Sequence, residues 1–223
     1  LGDVYKRQEY IEIQKYAFRK YKIKTVENKH THLVPEELEQ LERLSLTDKH
    51  MKLQKSLDAF LFCCYAGMRY SDFTNLSKKN IVDINQETWL IYKSVKTGTE
   101  VRLPLYLLFA GKGIVILNKY RNNLEDFFRL RDNSNINKDL IIIAKLAGLS
   151  KKISFHTARH TNATLLIYNG VNITTVQKLL GHKSVKTTQV YTNIMDMTIV
   201  HDLEKIKQAA LGIKKKTDNS FNK

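Results

Sequence analysis

The 223-residue sequence predicts a mainly α domain carrying one small three-stranded antiparallel β-sheet. Leucines recur at helical spacing in VPEELEQLERL, and KLQKSLDAFLFCCYAGM is apolar nearly all round. Residues 80–104 instead alternate apolar and polar, with β-branched and aromatic side chains and turn residues at Asn85-Gln86 and Thr97-Gly98. Beyond Pro104 the helical period returns.

In the first helix Pro35 occupies the first turn, where its missing N–H costs nothing, and Leu38, Leu41 and Leu44 form the core stripe. The second helix lacks a polar face, which predicts burial, and Gly67 ends it by adopting the left-handed conformation that side chains disfavour. Arg69 therefore follows directly on a rigid element. The alternating segment reads as a three-stranded meander. After it come three helical stretches, LYLLFAGKG, GIVILNKYRNNLEDFFRLRD and NINKDLIIIAKLAGLS, the last stopped at Gly148. Further helices are expected over 155–169, 174–180, 185–191 and 195–211, with Gly170 and Gly181 closing the first two. The polar tail, residues 213–223, is expected to fray, and no internal repeat is evident.

Composition narrows the partner. Lys and Arg total 37 against 22 Asp and Glu, a net charge of +15, with a pI near 9.7, which points to a polyanion. No run approaches the roughly 20 apolar residues that would span a bilayer, so nucleic acid is favoured over a membrane. The two cysteines, Cys63 and Cys64, are adjacent within an apolar run where a disulfide framework is geometrically implausible, and a reducing, cytoplasmic setting fits them best. The opening residues LGDVYKRQ read as a possible scar, and residues 1–30 as the remnant or linker of a longer protein.

The segment HTARH at 156–160 poses the chemical question. A zinc protease wants His-Glu-x-x-His with the glutamate as general base, but here Thr157 stands in that position and the cation Arg159 lies beside the second histidine. A metal dication is a poor tenant. From these five residues alone, an amphipathic helix with two satisfied histidines remains open. Elsewhere, Arg69 sits at a glycine helix stop in YAGMRYSDF, Lys96 at the hairpin turn, His182 directly after the stop at Gly181, and Tyr191 nine residues on. Two arginines, a lysine, two histidines and a tyrosine suit phosphoryl transfer, because planar, always protonated guanidinium forks bind phosphate oxygens in pairs. Two of them flanking one phosphate leave no need for a metal ion, so no cofactor is expected.

AGMRYSD, the KTG turn, HTARH, LGH and Tyr191, in this order over about 125 residues, resemble the tyrosine recombinases of the phage-integrase superfamily. The resemblance covers residues from about 33 to 211 and implies that family's catalytic-domain fold over 31–212. YKIKTVENKHTHLVPEEL looks like the linker to an N-terminal core-binding domain, absent here, and the KTGTEVRLPL hairpin looks most like mobile-element integrases of the Bacteroides group. The resemblance implies a role for each residue. Arg69 and Arg159 would clamp the scissile phosphate, Lys96 would protonate the leaving 5′ oxygen, and His156 and His182 would assist proton traffic and hydrogen-bond phosphate oxygens. Tyr191 would attack phosphorus to give a 3′-phosphotyrosyl bond, used to integrate or excise a mobile element without metal or ATP. An integrase-derived module that only binds DNA, or a resolvase or invertase of the Xer kind, are the alternatives.

Supporting roles fall to Asp72, which either orients Arg69 or caps a helix, and to His160, expected to pack or orient. Lys93, Thr97, Lys151, Lys152, Lys183 and Lys186 are expected along the DNA backbone. The implied partners are double-stranded DNA and, on DNA, three further copies in a tetramer, with a monomer free in solution. The helix at 195–211, apolar at Met197, Val200, Leu203, Ile206 and Ala210, would exchange between protomers.

Overall fold

A computed structural model describes residues 31–191. In chain order, α1 (Pro35–Glu42), a 3₁₀ turn (Asp48–Leu53), α2 (Gln54–Ala66) and α3 (Tyr70–Thr74) lead into β1 (Ile81–Ile84), β2 (Glu87–Lys93) and β3 (Glu100–Pro104). Then follow α4 (Lys112–Lys119), α5 (Leu124–Phe128), α6 (Asn133–Leu146), α7 (Phe155–Tyr168), α8 (Ile173–Leu180) and α9 (Val185–Gln189). The expected mainly α domain with one three-stranded antiparallel sheet is what the chain forms.

The sheet runs β1-β2-β3, with Ile81 opposite Leu90 and Tyr92 opposite Val101. Asn85 and Gln86 both take positive φ, 53° and 66°, the twist a two-residue hairpin requires. Period-two alternation sends Leu90, Tyr92, Val101 and Leu103 inward.

The centre of the core is α2, buried at every position from Ser56 to Ala66. It packs along α7 and also meets α4, α5 and α6. Phe73 of α3 is fully buried and meets the rings of Phe62, Phe127 and Phe128, with centroids 5.9, 5.3 and 5.4 Å away. Edge-on geometry at each contact places ring hydrogens against π faces.

α7 is the unusual element, since Thr157, Arg159, His160, Thr161, Asn162 and Thr164 are all buried on it. Buried polar groups cost free energy unless hydrogen-bonded, and most of these serve neighbouring backbone. Asn162 Nδ2 donates to the carbonyls of Cys64 and Tyr65, each 2.9 Å away, satisfying the last turn of α2. Thr161 Oγ1 donates to Thr157 O at 2.8 Å and accepts the N–H of Leu33 at 3.0 Å.

The structure differs from expectation at three places. The stretch GIVILNKYRNNLEDFFRLRD divides into α4 and α5, because the Asn123 side chain accepts the Asp126 N–H and starts a new helix. LYLLFAGKG yields only a 3₁₀ turn, Leu108–Gly111, with Phe109 and Ala110 left-handed at φ 48° and 53°. α9 stops at Gln189, short of Tyr191. The expected helix over 195–211, the tail and residues 1–30 lie outside the described residues.

Candidate active site

Two glycine stops build the site. Gly67 closes α2 at φ +67°, and a Cβ there would lie 2.6 Å from Asn162 Oδ1 and 2.8 Å from Leu180 Cδ2. Gly181 closes α8 at φ +63°, where a Cβ would meet Val101 Cγ2 at 2.6 Å. Both positions therefore need glycine for conformation and for space. The ends of α2 and α8 converge, and β3 packs on α8.

Arg159 fills the place where those helix ends meet. It is 1% exposed, and its Nη1 and Nη2 donate to Gly67 O and Leu180 O, each at 2.7 Å. A guanidinium has five N–H donors, so further donors remain for an anion. Burial, and then the nearby Arg69 charge, bring its pKa down to about 10, which leaves it protonated at neutral pH.

Arg69, at the N-cap of α3, keeps part of its guanidinium open to solvent. Its Nη1 is 3.2 Å from Ser94 Oγ and 3.5 Å from Asp72 Oδ2. Asp72 is itself buried, accepting from Ser94 Oγ at 3.3 Å and from the Val95 N–H at 2.8 Å. It lies inside α3 rather than at its cap, so the capping reading is corrected: Asp72 ties Arg69 to the end of β2 and the turn that carries Lys96. Lys96 itself is exposed on that turn. Thr97 Oγ1 donates to Gly181 O at 3.1 Å, binding the turn to the α8 stop.

His182 follows that stop. Its Nδ1 is 2.8 Å from Thr188 Oγ1, and its carbonyl accepts from Gln177 Nε2 at 3.0 Å. Burial, followed by the charges of Arg159, Arg69, His156 and Lys96, lowers its pKa to about 3, so the imidazole is neutral under ordinary conditions. These influences also show that Arg69, Lys96, His156 and Arg159 lie within electrostatic reach of His182. The Tyr191 phenol is buried, and its Oη lies 3.1 Å from His160 Nδ1. Burial raises its pKa, while Arg159 and Arg69 pull it back down. All six residues predicted from the motifs thus belong to one neighbourhood.

The expected backbone contacts divide. Lys93, Lys152, Lys183 and Lys186 are exposed. Lys151 is half-buried and bonded to Glu37 Oε2 at 2.7 Å and to His32 O at 3.2 Å. Among the described residues no three His, Cys, Asp or Glu side chains gather so as to hold a metal ion. Sequence reasoning missed Ser94, Asn162 and Thr188. Asn162 could have been found, since it lies three residues after Arg159 and so shares its helix face; Ser94 and Thr188 carry no such signal.

A cluster of cationic side chains within electrostatic reach of a buried phenol and a neutral imidazole, with the Asp72 carboxylate turned inward onto Ser94 and the Val95 N–H, can bind a phosphate diester and offer it a nucleophile. Known proteins share this chain's sequence pattern and fold. A tyrosine recombinase of Pseudothermotoga lettingae is 30% identical over 181 residues, covering 79% of this chain and 60% of the relative. The tyrosine recombinase XerD of Bifidobacterium longum is 50% identical over 171 residues, covering 69% and 54%. The chain thus spans little more than half the length of these relatives. Among solved structures, XerA recombinase aligns over 90% of this chain and 76% of its own, with a TM-score of 0.62 and 24% identity. A lambda integrase dimer bound to a COC′ core site aligns over 85% and 69%, with a TM-score of 0.66 and 18% identity. The profile of the phage integrase family matches residues 31–197, three-quarters of the sequence, and the chain belongs to that family.

Proposed function

We propose that this chain is the catalytic part, residues 31–212, of a site-specific DNA recombinase that cleaves and rejoins duplex DNA through Tyr191. The observation that carries the reading is Arg159: fully buried, anchored by two backbone carbonyls rather than a carboxylate, and beside Arg69, it keeps its positive charge for an anion. Arg69 and Arg159 hold the non-bridging oxygens of the scissile phosphate, and His182 and His156 donate to the same oxygens. Tyr191 Oη attacks phosphorus, forming a 3′-phosphotyrosyl ester. Lys96 gives a proton to the departing 5′ oxygen. The ester conserves the energy of the broken diester, so a 5′ hydroxyl from a second duplex can reverse the step without ATP.

Relatives support the substrate and the assembly. One solved neighbour is the XerH recombinase in a post-cleavage complex with its difH substrate, and another is a lambda integrase tetramer bound to a Holliday junction. By analogy this chain acts on double-stranded DNA as a tetramer, in moving a mobile element. A duplex nicked next to the cleavage site lets the short fragment that carries the new 5′ hydroxyl diffuse away and traps the covalent ester. Incubated with such a substrate, the protein is expected to give a protein–DNA adduct stable to denaturant, and Tyr191→Phe none. An adduct that persists in Tyr191→Phe, or none with the unaltered protein on a cognate site, overturns the proposal and leaves a module that only binds DNA.

A further inference from the structure

The Tyr191 phenol is hydrogen-bonded to His160, the histidine that sequence reasoning expected to pack or orient. His160 is buried, and its Nδ1 lies 3.1 Å from Tyr191 Oη, within the 2.6–3.2 Å a general base needs. Its ring meets that of His156 edge to face, with centroids 4.5 Å apart, and that of Tyr191 at 5.5 Å. His160 is also the next residue after Arg159, so one turn of α7 carries both the anion clamp and the phenol's partner. We infer that His160 is the general base for Tyr191, its Nδ1 taking the phenolic proton as Oη bonds to phosphorus. The inference rests on the reading of Tyr191 as nucleophile.

The chemistry requires such a group. Burial disfavours phenolate more than Arg159 and Arg69 favour it, because the net shift is upward. The attacking phenol is therefore protonated until the reaction begins, and its proton must leave during attack. With the ring proton on Nε2, Nδ1 has a lone pair directed at the hydroxyl. On attack the O–H bond breaks, its electron pair becomes the Oη–P bond, and the proton passes to Nδ1. The P–O5′ bond breaks with its pair on the 5′ oxygen, which takes a proton from Lys96. In rejoining, the His160 imidazolium returns its proton to Oη as phosphorus leaves, so one histidine serves both directions. Nothing is oxidised or reduced, and no co-reactant enters.

The test uses the full-length protein and the nicked trapping duplex. His160→Asn is expected to slow adduct formation by roughly 10²–10⁴-fold, the usual range for a lost general base, while DNA retention in a mobility-shift assay is unchanged. Replacing Tyr191 by 2,3-difluorotyrosine, a more acidic phenol, then restores at least part of the lost rate in His160→Asn and adds little with His160 in place. Equal effects of fluorination in both backgrounds would mean that His160 only packs, and a variant as fast as the parent overturns the inference outright. A measurement on the unaltered protein guards against a variant that fails to fold. With a 5′-bridging phosphorothiolate, whose sulfur leaves without a proton, adduct formation should still be slower in D₂O, and an isotope effect of unity overturns proton transfer to any base during attack. If the unaltered protein forms no adduct at all, it is the nucleophile assignment that fails.

Discussion

Arg159 shows how one residue can be both structural and reactive. Burying an unpaired cation costs several kcal/mol, and the usual remedy, a carboxylate in contact, would cancel the charge a phosphate needs. Here the partners are Gly67 O and Leu180 O, at the C-terminal ends of α2 and α8, where unsatisfied carbonyls carry partial negative charge. They stabilise the guanidinium without neutralising it. The same positive field reaches His182, which burial and the charges of Arg159, Arg69, His156 and Lys96 hold near a pKa of about 3, against 6.5 ordinarily. The folded state therefore excludes a proton that the unfolded chain accepts. Stability from this group is fully present above about pH 6.5 and is lost as pH falls towards 3. Removing the imidazole should remove that dependence. At pH 8, His182→Gln is expected to be less stable by about 1 kcal/mol, for the lost bond to Thr188. In urea titrations from pH 8 to 4 the gap should narrow and then reverse. Parallel curves for the two proteins would show that His182 does not titrate between the folded and unfolded states.

At the scale of elements, the two glycine stops make a sharper prediction than the helices they end. Gly67→Ala places a Cβ 2.6 Å from Asn162 Oδ1 in a backbone conformation that costs a side chain roughly 1–2 kcal/mol by itself. Asn162 cannot retreat without releasing the carbonyls of Cys64 and Tyr65. A loss of at least ~2 kcal/mol in denaturant unfolding is expected, together with slower adduct formation, because Gly67 O anchors Arg159. A change under about 0.5 kcal/mol would show that the helix end relaxes freely. These stops were legible in the sequence because left-handed caps select glycine, and the meander was legible because period two is distinctive. The break between α4 and α5 was not, since Asn123 caps through a side-chain bond that no periodicity announces. For Asp72 the chain left orienting Arg69 and capping a helix both open, and only the folded hairpin supplies Ser94 and the Val95 N–H that make it a strut for Arg69.

For the whole molecule, motif order singled out six residues that the fold brings within electrostatic reach of one another, but the +15 charge could not say which lysines are available to DNA. The structure separates them. Lys55, Lys112, Lys119 and Lys151 face Asp126, Glu42, Asp58 and Glu37 within 3.0 Å. Lys93 on the hairpin and Lys183 and Lys186 after the α8 stop are exposed and make no ion pair among the described residues. They flank the proposed phosphate site from two sides, so they should condense onto the backbone of a bound duplex, whereas Lys151 would first have to give up Glu37. Each phosphate neutralised contributes roughly −0.9 to the slope of log K against log salt. Binding to one duplex over a salt series should therefore lose about two units of slope in a Lys183→Ala, Lys186→Ala double variant. Lys151→Ala should keep the parental slope and instead lose a little stability, of the order of 0.5 kcal/mol for a partly exposed ion pair. A reduced slope in Lys151→Ala, or an unchanged one in the double variant, would place the duplex against α1 rather than across the hairpin and the end of α8.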